Sequence, residues 1–174
     1  MPISYHRDLE ARSVDAVLRG LAGGGVRYLI AGGLAVVAHG HVRFTKDIDL
    51  VLSLDGENTR RAIVVLKALG YRPVVAALRI EDFTDAAQRR LWIEEKGAKV
   101  FSLSSEDHRL TPIDIFVEEP FDFEEADARA LSLEYAPGLC VRFVSRDDLV
   151  AMKRLAGRPQ DVLDIEALER LWSR

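Results

Sequence analysis

The chain has 174 residues, 48% of them hydrophobic, and a formal net charge of −4. That is enough apolar material for a full core, which excludes a disordered chain. The acidic balance argues against wholesale electrostatic binding to nucleic acid, but leaves room for a local patch built from Arg43, Lys46, Lys153, Arg154 and Arg158.

The length suggests one domain, or one domain with a small helical appendix. No apolar run approaches the roughly 20 residues of a membrane span. The opening stretch MPISYHRDLE lacks a basic-then-apolar leader, and the single Cys140 cannot form an internal disulfide. These features predict a cytoplasmic protein with no membrane partner.

Helical spacing of Leu9, Val14, Val17, Leu18 and Leu21 predicts a first helix from His6 to Leu21, ended by Gly23-Gly24-Gly25. Those glycines lack the GxGxxG pattern and the following Lys-Ser/Thr of a phosphate loop, so they read as a helix stop. Val26 to Ala31 reads as a buried strand, Leu34 to Ala38 as a short helix, and Asp47 onward as a second strand. Asp55-Gly56 marks a turn, and Asn58 to Leu69 an amphipathic helix stopped by Gly70. Tyr71 to Ile80 reads as a strand which Pro73 restricts to a sheet edge. A helix from Thr84 to Lys96 closed by Gly97, a strand from Lys99 to Leu103 and another from Leu110 to Val117 follow.

Phe121 to Leu131 reads as an acidic helix. Leu133-Glu134-Tyr135 and Leu139 to Val144 flank Pro137-Gly138, a hairpin signal. Ser145 with Asp148 resembles a capping box and opens a helix to about Leu155. Gly157-Arg158-Pro159 breaks it, and a last helix runs from Gln160 to Trp172. Strands alternate with helices early and a hairpin comes late, which predicts an α/β (α+β) fold: a mixed β-sheet flanked by helices, then a helical C-terminus. The division expected is a core over 1–144 and a helical segment over 145–174 packed on it, as a single domain overall.

The chemistry concentrates in Tyr28 to Leu52. Successive strand side chains alternate faces at roughly 3.3 Å per residue, so Asp47 and Asp49 point the same way with Cα atoms about 7 Å apart. Like charges some 5 Å apart repel by roughly 3 kcal/mol at an effective dielectric of about 20. A divalent cation would reverse that sign. Gly32-Gly33 precede the short helix. Glycine lets the backbone approach a ligand, and a helix N-terminus offers N–H groups to phosphate, although a packing pair of glycines would look the same. Ile113-Asp114-Ile115 puts a third carboxylate in an apolar strand. Arg43 has the reach to touch a phosphate and Thr45 to buttress the loop, against a plain surface role for each. His39 and His41 beside hard carboxylates do not make a zinc set. Cys140, with no histidine near it in sequence, reads as a small buried residue.

Hydrophobic-Gly-Gly (Gly32-Gly33), a spacer from Leu34 to Lys46 and Asp47-Ile48-Asp49-Leu50 resemble the signature of the polymerase-beta-like nucleotidyltransferases. With His39-Gly40, Arg43 and Thr45 before the aspartates, the stretch resembles the bacterial abortive-infection (AbiEii-type) group. The resemblance implies the same mixed α/β architecture and two Mg²⁺ ions held by Asp47 and Asp49. It also implies a third catalytic carboxylate on a later strand, for which Asp114 fits better than the loop residue Asp107. It implies a lysine from the helical C-terminal part on the triphosphate, with Lys153 the candidate. Asp161 and Asp164 read as helix-start and surface residues.

The expected activity is transfer of a nucleoside monophosphate from an NTP such as ATP to a hydroxyl of a tRNA 3′ end, a protein side chain or a small molecule. A toxin–antitoxin role with a cognate partner is a branch of that expectation. The alternative is a module of the same fold that binds nucleotide or a partner protein without turnover.

Overall fold

The computed structural model describes residues 10–173. Helix α1 (Ala11–Gly23) buries Val14, Val17, Leu18 and Leu21, a spacing that makes one apolar stripe. His6 to Leu9, read as part of this helix, lie outside the described residues. The chain turns at Gly25, whose φ of 62° suits glycine, and enters β1 (Tyr28–Ile30). Helix α2 (Gly32–Ala38) follows, then an extended loop, then β2 (Ile48–Leu52).

Asp55 is the N-cap of α3 (Gly56–Ala68), accepting hydrogen bonds from the Glu57 and Asn58 amides. The Asp55-Gly56 turn is therefore the start of this helix. The strand expected over Tyr71 to Ile80 shrinks to β3 (Arg72–Pro73) at the sheet edge. One further ladder bond, Val74 N–H to the Ser102 carbonyl, extends it. Pro73 has no N–H to offer a further strand, which suits the sheet edge, and beyond Val74 the chain turns away toward a 3₁₀ turn, Ile80–Thr84.

Helix α4 (Ala86–Lys96) is capped by Asp85 at its start and by Gly97, with φ of 59°, at its end. Strands β4 (Val100–Ser104) and β5 (Ile113–Phe116) follow. The acidic helix is shorter than expected, α5 (Phe123–Ala128), because Leu131 already belongs to β6 (Leu131–Ala136). Strand β7 (Leu139–Phe143) completes the expected hairpin. Cys140 is exposed, which overturns the expectation of burial. Leu139, Val141 and Phe143 take the buried face of β7, and strand alternation turns Cys140 outward.

The strands form one seven-stranded mixed sheet in the order β3-β4-β5-β2-β1-β7-β6. β2 lies at its centre, antiparallel to β1 and parallel to β5. Leu29, Ile30, Ile48, Leu50, Leu52, Ile113 and Ile115 are almost fully buried there. Such near-continuous apolar runs are what strands covered on both faces require. Helix α6 (Arg146–Ala156) is capped by Ser145, which accepts from the Asp148 amide, and ends at Gly157 with φ of 63°. It packs against α2 and against α7 (Pro159–Trp172).

Asn58 locks α3 to the sheet. Its Oδ1 accepts from the Arg27 amide at 2.7 Å, and its Nδ2 donates to the carbonyls of Arg27 and Ser53 at 2.9 and 2.8 Å. Truncation would leave the Arg27 amide and the Ser53 carbonyl, at one end of the β1–β2 pair, without these partners, each costing roughly 1–3 kcal/mol. Asn58→Ala is therefore expected to lose at least about 2 kcal/mol of unfolding free energy, measured by urea titration, with unchanged far-ultraviolet circular dichroism under native conditions.

Candidate active site

The site is built by strand register. Asp49 on β2 is the direct Cα partner of Asp114 on β5 in a parallel pairing. The two side chains therefore stand on the same face of the sheet, one strand apart, at roughly 4.8 Å between backbones. Asp47 lies two residues before Asp49 and joins them. Carboxylate oxygens of Asp47, Asp49 and Asp114 all lie within 4.8 Å of one another. Among the described residues no other such cluster of His, Cys, Asp or Glu forms. Asp107 is elsewhere, in the loop beside Gly70.

The electrostatics follow from crowding. Burial pushes the Asp49 carboxyl up to about 7, and the charges of Asp47 and Asp114 push the same way, while Arg158 and Lys153 pull it back. Burial and then Asp114 also raise Asp47. Neither Asp47 nor Asp49 nor Asp114 has a cation in direct contact among the ion pairs of the described residues. Three half-buried carboxylates with no direct counter-charge fit a hard divalent cation, which takes oxygen ligands.

The two glycines are demanded by this crowding. Gly32 has φ of 58°, and a Cβ there would sit 1.8 Å from Asp49 Oδ2. A Cβ on Gly33 would meet Thr45 Oγ1 at 2.4 Å and Arg43 Nη2 at 3.0 Å. No side chain caps the start of α2 at Ala31, so its first amides stay free of internal side-chain partners. Thr45 donates to the Asp47 carbonyl at 3.3 Å and so ties the loop to the aspartate strand.

Side chains 41 to 47 alternate inward and outward, with Val42, Phe44 and Lys46 exposed and His41, Arg43, Thr45 and Asp47 turned toward the protein. This extended loop runs antiparallel to α7. A Cβ on Gly40 would lie 3.9 Å from Leu171, and Arg43 Nε lies 3.0 Å from Asp164 Oδ1. Three extended residues and seven helical ones both span about 10 Å, so the two segments keep pace. His39 is not a metal ligand here: its Nε2 is 2.9 Å from the Val144 carbonyl and its ring meets Trp172 edge-on.

Lys153, expected on the triphosphate, is 4% exposed and held by Asp161 Oδ1 at 3.0 Å and Asp164 Oδ2 at 2.7 Å. Asp161 is a helix-start residue as expected, in the first turn of α7, but it and Asp164 are buried, which overturns their reading as surface residues. Burial acts upward on Asp161, yet Arg158 and Lys153 outweigh it and hold the carboxyl at about 2. Arg158 donates through Nε to Asp161 Oδ2 at 2.8 Å. Arg154, by contrast, faces outward and pairs with Glu169. The signal that was present is spacing: carboxylates three apart on one helix share a face, and here that face meets a lysine near the end of the preceding helix.

A mixed sheet that sets two strand aspartates and a third from the neighbouring strand beside a glycine turn defines a nucleotidyltransferase. More narrowly, the chain belongs to the family described as nucleotidyl transferase AbiEii toxin, type IV toxin–antitoxin system, whose profile matches residues 17–173. Among curated proteins none matches. Two solved structures share the fold. Lincosamide antibiotic adenylyltransferase LnuA, lincomycin-bound, has a TM-score of 0.61 at 17% identity, with 94% of this chain and 98% of that one covered. ANT(2″)-Ia in complex with adenylyl-2″-tobramycin has a TM-score of 0.57 at 16% identity, with 91% and 88% covered.

A carboxyl raised in the folded state binds a proton that the unfolded chain has already lost, so Asp49 makes the metal-free protein less stable as pH climbs from about 4 to about 7. Cation binding needs the ionised form. Added Mg²⁺ or Mn²⁺ is therefore expected to raise the melting temperature more at pH 8 than at pH 5.5. Equal shifts at both values would contradict this account of the site.

Proposed function

We propose that the protein is a Mg²⁺-dependent enzyme that moves a nucleoside monophosphate from an NTP to an acceptor hydroxyl. The acceptor oxygen bonds to the α-phosphorus, the bond from that phosphorus to the bridging oxygen of the β-phosphate breaks, and pyrophosphate leaves. The observation that carries this reading is the register-matched carboxylate triad with Gly32 pressed against Asp49. Asp47 and Asp49 would hold two Mg²⁺ ions, with Asp114 completing the set on the acceptor side. Those ions supply charge neutralisation for the attacking and leaving oxygens.

The rest of the work is positioning, as in phosphoryl transfer generally. Gly32 and Gly33 leave room for phosphate oxygens at the start of α2. Arg43 faces the same place, and Thr45 keeps the loop and its aspartates in register. Asp114 favours loss of the acceptor hydroxyl proton. Lys153 contributes from behind, through the carboxylates it holds. Residues 145–174 serve as a helical segment that backs the catalytic core of 1–144. The acceptor is a hydroxyl of a tRNA end, a protein side chain or a small molecule. A cytoplasmic toxin role within a toxin–antitoxin pair fits the family membership.

The test is labelling of total RNA and total protein with each of the four radiolabelled NTPs, with and without Mg²⁺. Asp49→Asn is expected to keep the fold and lower transfer by more than about a hundredfold, the upper end of what loss of a mere outer-shell partner costs. Equal labelling by wild type and variant would remove Asp49 from the mechanism. No labelling by the wild type under any condition would remove the RNA and protein acceptors, and no release of pyrophosphate from any NTP with small-molecule hydroxyl acceptors added would remove the transferase reading.

A further inference from the structure

Beneath the triad lies a chain of alternating charges: Arg43, Asp164, Lys153, Asp161 and Arg158. Its middle is sealed. Lys153, Asp161 and Asp164 are 4%, 1% and 0% exposed. An ammonium has three N–H donors, and Asp161 and Asp164 engage two of them. Gln160 Nε2 adds a hydrogen bond to Asp164 at 2.9 Å. For Lys153 to reach a ligand it would have to break both hydrogen bonds and take from two buried carboxylates the buried counter-charge they share, which is unfavourable.

The ends of the chain are different. The Arg158 side chain is 73% exposed although it is anchored. Asp161 takes its Nε at 2.8 Å, its Nη2 at 3.3 Å and its backbone N–H at 3.2 Å. A guanidinium has five N–H donors in a planar fork, so the outer donors stay free. Gly157, with φ of 63°, and Pro159 on either side fix the turn that carries it. Geometry ties it to the glycine turn: its anchor Asp161 shares Lys153 with Asp164, whose Oδ1 lies 3.0 Å from Arg43 Nε, and the charges of Asp47 and Asp49 act on Arg158 in keeping with that. At the other end Asp164 holds Arg43, whose Nη2 lies against Gly33.

We infer that Arg158 is a second phosphate-binding cation of the site, aimed by Asp161 at the triphosphate of the NTP, with Lys153 acting as a positioning residue behind both arginines. This rests on the nucleotidyltransferase reading above and adds to it a residue that the sequence motif does not contain. The two aspartates on one face of α7 share a single buried lysine, and each turns its free oxygen to one arginine. The arrangement holds two planar forks at the two ends of one charge chain. Bidentate contact with phosphate oxygens suits a guanidinium and would be poorly served by an ammonium.

The probe is inorganic tripolyphosphate with Mg²⁺, titrated calorimetrically into the full chain. Arg158→Gln is expected to weaken its binding about tenfold, the size of one charge-assisted contact, with a native far-ultraviolet circular dichroism spectrum and a lower melting temperature, because buried Asp161 loses one of its two counter-charges and keeps Lys153. Arg158→Lys should recover only part of the affinity, since it restores charge without the fork. Asp161→Asn should weaken binding while Arg158 is present and add little once Arg158 is glutamine. Wild-type affinity in Arg158→Gln overturns this inference and leaves the transferase reading standing. A wild type that binds neither tripolyphosphate nor NTP in the presence of Mg²⁺ overturns both.

Discussion

The structure depends on keeping three carboxylates where they repel one another. Asp49 and Asp114 are adjacent because β2 and β5 run parallel in a fixed register. A slip of one residue would send Asp114 to the other face of the sheet and bring Ile113 or Ile115 in its place. That slip is resisted by the buried alternation of Ile48, Leu50, Leu52, Ile113 and Ile115. Each of these side chains contributes roughly 1.5–3 kcal/mol on burial, against a repulsion of about 3 kcal/mol for a like-charged pair at this separation. The apolar strands win, and burial, with the unrelieved repulsion added to it, appears as the raised proton affinity of Asp49.

A second constraint follows from the first. With Asp49 pressed against the backbone of residue 32, no side chain fits there, and the chain must turn with positive φ. Gly33 is constrained from the other direction, by Thr45 and Arg43. The glycine pair is thus set by contacts within the protein as much as by any ligand. The same geometry that excludes a Cβ leaves backbone at the start of α2 close to the carboxylates, where a phosphate chelated to the same cations would lie in the proposed reaction.

Much of this was legible in the residues. The Gly32-Gly33 and Asp47-Ile48-Asp49 spacing carries local information, and Ile113-Asp114-Ile115 stands out because carboxylates are rare in such apolar strands. Cys140 could have been placed by alternation, since Leu139, Val141 and Phe143 already claim the buried face. Over Tyr71 to Ile80, Pro73 correctly marked a sheet edge, but the ladder stops after Val74, and nothing local in the residues announced that length. Asp161 and Asp164 were misread as surface residues for a non-local reason. Aspartates on an amphipathic helix normally face water, and their burial makes sense only once Lys153 from the preceding helix is known to face them. A single-sequence reading has the spacing but not the partner.

That buried lysine also explains how Arg43 on a loop and Arg158 on a turn come to be held in place. Exposed ion pairs hold long side chains only weakly, because side-chain entropy and solvent screening offset the attraction. A lysine enclosed with two aspartates is different, since losing any member strands a charge in a medium that solvates it poorly. Asp161 and Asp164 are consequently fixed in direction, and the arginines they hold inherit that direction. Groups already oriented toward the place where charge develops need no reorganisation during reaction, the condition under which electrostatic stabilisation is most effective. The stretch Gly157-Arg158-Pro159 that looked like a simple helix break is, on this view, the hinge point that delivers one of them.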